Sequence, residues 1–139
     1  MRQLDLLKGK RQRGIKAPPA LEFRVHVLIA DTLGRWCAPG WWWGHYPAGE
    51  NRDPITGARL KRMGTKPGVS DFLLIAPPAA RLHALELKRE GEKPNPNQIA
   101  FLAAVEAAGG RSAWVDNYMS AIEVLCSWGA LPDGKIKVQ

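Results

Sequence analysis

The sequence predicts an α/β fold, a small mixed β-sheet with helices on its faces. Two observations carry this. Between Gly68 and Lys88, the apolar runs Phe72 to Ala76 and Leu82 to Leu87 flank the break Pro77-Pro78-Ala79-Ala80, as expected of consecutive strands joined by a turn. Further on, a helical stretch from Asn95 to about Ala108 precedes the apolar run Arg111 to Val115, completing a strand–helix–strand crossover.

A chain of 139 residues fits one domain with a real core, and 45% hydrophobic with 24% charged residues is ordinary for a globular protein. The net charge of +7 points to an anionic partner, nucleic acid before a membrane surface. Cys37 and Cys126 are isolated, with no CxxC pair and no zinc spacing, so they read as free thiols of a reducing, cytoplasmic compartment. The N-terminus is charged, and no run approaches the roughly 18 apolar residues of a membrane helix, so secretion and membrane spanning are disfavoured.

Residues 1–16 carry Arg2, Lys8, Lys10, Arg11, Arg13 and Lys16 against Asp5 and read as a basic arm, for a phosphate backbone or simply for solubility. The folded domain is expected over 17–130, with a polar tail over 131–139. Pro18-Pro19 opens a helix in which Leu21, Val25, Leu28, Ile29 and Leu33 recur at helical spacing, and Gly34 closes it. Glu22 and His26 lie one turn apart on a neighbouring face. By pattern alone Glu22 is an exposed acid with local partners, and His26 is undecided.

The tract Trp36 to Pro47 has no helical period. In a strand, Trp41 and Trp43 face one side and Trp42 the other, as core or interface more often than as base-stacking platforms. From Arg52 to Lys66 the chain reads as a basic loop, with Arg52, Arg59, Lys61, Arg62 and Lys66 against Asp53. Such charge suits phosphate contacts that position a substrate without reading its sequence.

Asp71 opens the first run of the hairpin, and Glu86 and Lys88 close the second. Strand alternation puts Glu86 and Lys88 on one face, with Leu85 and Leu87 on the other. Two acids and a lysine at one end of a hairpin suit Mg²⁺ or Mn²⁺, with the Leu87 carbonyl as a third oxygen. A Glu-x-Lys tripeptide is weak by itself, and a solvated strand end with a surface ion pair reads it equally well. After the charged turn Arg89 to Lys93, Asn95 and Gln98 fit a capping box with Pro96 at the first helical position, and Ile99, Leu102, Ala103 and Val105 pack that helix on the sheet. A second capping box, Ser120 to Glu123, starts the last helix, which carries Ile122, Leu125 and Trp128 and ends at Gly129.

Gly68-Val69-Ser70-Asp71, Glu86-Leu87-Lys88 and Gln98, with Glu22, His45, the segment Arg59 to Gly64 and Trp128-Gly129, resemble the VRR-NUC (virus-type replication-repair nuclease) branch of the PD-(D/E)XK nucleases. The likeness runs from about Leu21 to Gly129. One departure is that Ser70 stands where the family usually has proline, with a proline displaced to Pro67.

The resemblance implies a restriction-endonuclease-like fold and Mg²⁺- or Mn²⁺-dependent hydrolysis of DNA. It places Asp71, Glu86, the Leu87 carbonyl and Glu22 at the metal. Lys88 orients or activates water, and Gln98 sits at the active site, a role that one rotamer is not expected to combine with capping. His45 and Arg89 join the basic residues in contacting DNA. Short members of the family look like phage or prophage proteins of a bacterial cytoplasm, acting as symmetric dimers on branched DNA such as four-way junctions. No small-molecule cofactor is implied. The alternative is a noncatalytic nucleic-acid-binding accessory on the same scaffold.

Overall fold

Two helices clasp one face of a four-stranded sheet and a third covers part of the other, in a computed structural model that describes residues 19–47 and 53–133. The basic arm 1–16, Arg52 and residues 134–139 lie outside the described residues, as does the side chain of Leu21. The order is α1 (Pro19–Trp36), β1 (Trp42–His45), α2 (Pro54–Arg62), β2 (Phe72–Ala76), β3 (Arg81–Leu87), α3 (Pro96–Ala107), β4 (Arg111–Val115) and α4 (Tyr118–Trp128). The strands lie in chain order. β1, β2 and β3 pair antiparallel, and β4 joins β3 in parallel after the crossover through α3. No helix among the described residues is long and apolar enough to cross a membrane.

The two-residue period of the strands decides the layers. Phe72, Leu74, Leu85, Leu87 and Val115 are buried on one face against Ile29 and Leu33 of α1 and Ala121, Ile122 and Leu125 of α4. Ala84 points the other way, onto Leu102 and Val105 of α3. Each large aliphatic side chain buried in this way stabilises the fold by about 1.5–3 kcal/mol. With Leu85 and Leu87 anchored on the α1/α4 side, Glu86 between them must emerge on the α3 side. Trp41 and Trp43 pack against the larger core while Trp42 is exposed, in accord with the expected alternation.

Several local expectations need correction. The stretch expected as a basic loop contains α2, because the Asp53 carboxylate accepts the Ile55 and Thr56 N–H groups and Pro54 occupies the first turn. Gly34 lies inside α1, which runs on to Trp36, and Leu28 is exposed rather than part of the core. The cap of α4 is Asn117, whose side chain accepts the Ser120 N–H, three residues before the expected start. The tail begins after Leu131, since Ala130 and Leu131 are buried in the core.

Gly68 fixes how the chain enters β2. Its φ is +84°, and a Cβ there would lie 2.4 Å from the backbone carbonyl atoms of Asn97 at the start of α3. The approach of these two backbones is what brings the β2 entrance against the α3 N-terminus. Two residues on, Ser70 is fully buried with no hydrogen-bond partner for its hydroxyl among the described residues. Gly68→Ala is therefore expected to cost at least about 2 kcal/mol in chemical denaturation. Ser70→Ala, which removes an unsatisfied hydroxyl, is expected to stabilise by about 1 kcal/mol in the same measurement.

Candidate active site

The register that pairs Phe72 with Leu85 carries Asp71 alongside Glu86 at the open end of the hairpin. There β2 has ended, and the Leu87 N–H is bonded by a side chain instead of a neighbouring strand: Asp71 Oδ2 accepts it at 2.8 Å. This bond fixes the Asp71 carboxylate over the strand end. Asp71, Glu86, Leu87, Lys88 and Gln98 share one cleft of about 330 Å³ with Glu22 and Gly68.

Within the cleft Glu86 is 3% exposed. Gln98 Nε2 donates to its Oε1 at 2.9 Å, and Lys88 Nζ stands 3.9 Å from the same oxygen. Its other oxygen, Oε2, is buried without a hydrogen-bond partner among the described residues. Burial first, and then the nearby Asp71 charge, push the Glu86 carboxyl from 4.5 up to about 8, against the opposing pull of Lys88. Burial also raises the Asp71 carboxyl, opposed by its bond from the Leu87 N–H. Two carboxyl groups brought together and dried, one with a bare oxygen, form a site whose chemistry fits a hard divalent cation.

Gln98 overturns one expectation. A single rotamer serves both the cap and the cleft: Oε1 accepts from the Asn95 N–H at 2.9 Å and from Lys88 Nζ at 3.0 Å, while Nε2 holds Glu86. The amide has enough acceptor and donor capacity for all three bonds. The capping box at the start of α3 thus doubles as the clamp that aligns Glu86 and Lys88.

The other expected residues are placed less centrally. Glu22 lines the cleft from α1, but its Oε2 accepts from Arg89 Nε at 3.0 Å in a pair that is 42% exposed on both sides. Arg89 is thereby tied to Glu22 at the rim. From the basic stretch, Pro67, Gly68 and Val69 reach the cleft, whereas Arg59, Lys61, Arg62 and Lys66 are exposed outside it. His45 is exposed at the end of β1, its Nδ1–H donating to the Asp71 carbonyl at 2.8 Å.

The undecided residue, His26, proves to be close by. Its ring stacks on Phe72 and meets His45 edge-on at 4.3 Å between centroids. Burial lowers its pKa, with the His45 charge adding to the effect. The only sequence signal for it was its place one turn after Glu22 on the same helix.

No protein-family model and no curated protein matches the sequence. Among solved structures, a VRR_NUC domain protein is similar with a TM-score of 0.62 and 23% sequence identity, over 76% of this chain and 84% of that one. The fold is accordingly that of a VRR-NUC domain, the restriction-endonuclease-like α/β arrangement expected from the sequence.

A carboxyl group whose pKa is raised by folding stabilises the fold below its unfolded value and loses that contribution as pH rises through the folded value. For Glu86 the window runs from about 4.5 to about 8. In metal-free buffer, Glu86→Gln is expected to gain stability relative to the wild type across that window and to level off above it, as read by thermal unfolding at a series of pH values. A constant difference would contradict the placement of Glu86.

Proposed function

We propose that this protein is a metal-dependent deoxyribonuclease that hydrolyses phosphodiester bonds, with Mg²⁺ or Mn²⁺ held by Asp71, Glu86 and the Leu87 carbonyl and assisted by Glu22. The observation that carries this is the buried Glu86 carboxyl, with one oxygen unpartnered among the described residues, beside Asp71 in a cleft that also holds Lys88. When bound, the cation lowers the pKa of a water and offsets charge on the phosphodiester. In this reading the chain's own groups do the positioning. The Lys88 ammonium, half-buried and held by Gln98, orients the attacking water and offsets negative charge as it develops. Gln98 keeps Glu86 and Lys88 in register, so its loss separates two groups at once.

The substrate face is basic. Arg59, Lys61 and Arg62 on α2 and Lys66 after it are exposed, and no residue of α2 is buried, which leaves that helix available to lie along a phosphate backbone. Arg52, which precedes α2 in the sequence, belongs to the same basic group. His45, bonded to the Asp71 carbonyl, stands beside the site and would contact substrate. No helix among the described residues carries the look of a base-reading element, so a structure-selective enzyme acting on branched DNA such as four-way junctions fits better than a sequence-specific one.

Such a substrate suits a homodimer, because two nicks on opposed strands need two related sites. Support for a dimer comes from an apolar row across the sheet, where Trp42 pairs with Ile75 and Ile75 with Leu82, all three exposed. A phage or prophage protein working in a bacterial cytoplasm is the setting that the resemblance implies.

With a panel of linear, flapped, nicked and four-way DNA in Mg²⁺ or Mn²⁺, the wild type is expected to cut, and Lys88→Ala to lose at least about a hundredfold in rate while still binding DNA. Asp71→Asn is expected to abolish cutting. Intact cleavage by either variant would refute the site. Binding without cleavage by the wild type would favour the noncatalytic accessory.

A further inference from the structure

His26, His45 and Asp71 come from three different elements: α1, the end of β1 and the entrance to β2. Each offers one ligand atom, and the three atoms lie within 4.8 Å of one another. We propose that these residues form a second cation site, one that takes a borderline transition-metal dication such as Zn²⁺ or Co²⁺ in preference to Mg²⁺.

The chemistry of the donors separates this site from the carboxylate cleft. Two imidazoles and one carboxylate suit zinc, cobalt or nickel, whereas Mg²⁺ prefers oxygen donors and retains its waters. The ligands of a tetrahedral or octahedral ion at about 2.0–2.2 Å are separated by less than that 4.8 Å limit, so at most a small side-chain adjustment completes the set. Asp71 is common to both sites, which places a nitrogen-rich cation next to the oxygen-rich one.

Two features prepare the ligands. The His45 Nδ1–H is engaged by the Asp71 carbonyl, so in the neutral ring Nε2 holds the free lone pair. A histidine oriented by a backbone carbonyl through its far nitrogen is the usual support for a metal-bound imidazole. The His26 ring is held in place between Phe72, on which it stacks, and the His45 ring, with which it makes a T-shaped contact. Its orientation is therefore fixed by packing before any ion arrives.

The site does not rest on the nuclease reading, because ion binding here needs neither Glu86 nor Lys88. The test is a Co²⁺ titration of the purified full-length protein without Mg²⁺ or DNA, followed by visible absorption, with far-UV circular dichroism confirming the fold of each variant. The wild type is expected to bind Co²⁺ with visible d–d bands. Glu86→Gln is expected to bind it comparably, and His45→Gln and His26→Gln each at least about tenfold more weakly. Because His26 packs on Phe72, its variant counts only if it folds, and the exposed His45 carries the test otherwise. The proposal is overturned if folded wild type binds no Co²⁺, or if His45→Gln binds it as well as the wild type. It is also overturned if Glu86→Gln alone loses it, which would put the ion in the carboxylate cleft. Failure of DNA cleavage leaves this result unaffected.

Discussion

A buried carboxyl group held against a second one is the constraint on which this structure turns. Glu86 cannot leave its position, because Leu85 and Leu87 on either side are committed to the core beneath. Nor can Asp71 move away, because the Leu87 N–H holds it over the strand end. An ionised carboxylate buried without full pairing costs several kcal/mol, and Lys88 at 3.9 Å compensates for only part of that. Protonation relieves the strain, so burial and the Asp71 charge push the Glu86 carboxyl up to about 8. A cation in the cleft would relieve it in another way, by satisfying both acids at once.

The surrounding fold serves to keep that arrangement stiff. Gly68 lets the β2 entrance approach the α3 backbone more closely than any side chain would permit. At that junction Gln98 uses one amide to close the first turn of α3, grip Glu86 and orient Lys88. Helix stability and site geometry therefore depend on the same side chain. α1 packs through Ile29 and Leu33 and presents Glu22 and His26 to the same region from the opposite side.

Much of this was legible in the sequence because it is local. The proline break between two apolar runs located the hairpin, the asparagine–proline start located α3, and strand alternation put Glu86 and Lys88 on one side. What escaped depended on through-space packing or on competing local signals. The glycines of the basic stretch masked the Asp53 cap of α2. Leu131 looks like part of a polar tail, yet the turn after α4 folds it into the core. Gln98 offers two roles that spacing alone treats as exclusive, since sequence spacing does not reveal that Lys88 and Glu86 approach opposite ends of its amide. His26 carried no pattern of its own, because its neighbours His45 and Asp71 are brought to it only by the sheet.

The most direct measurement of the central claim is the titration of the Glu86 carboxyl carbon by NMR, with and without Mg²⁺. The account predicts a midpoint near 8 in the ion-free protein that falls below neutrality when Mg²⁺ is added. A midpoint at the ordinary glutamate value without the ion, or one near 8 that ignores Mg²⁺, would contradict it.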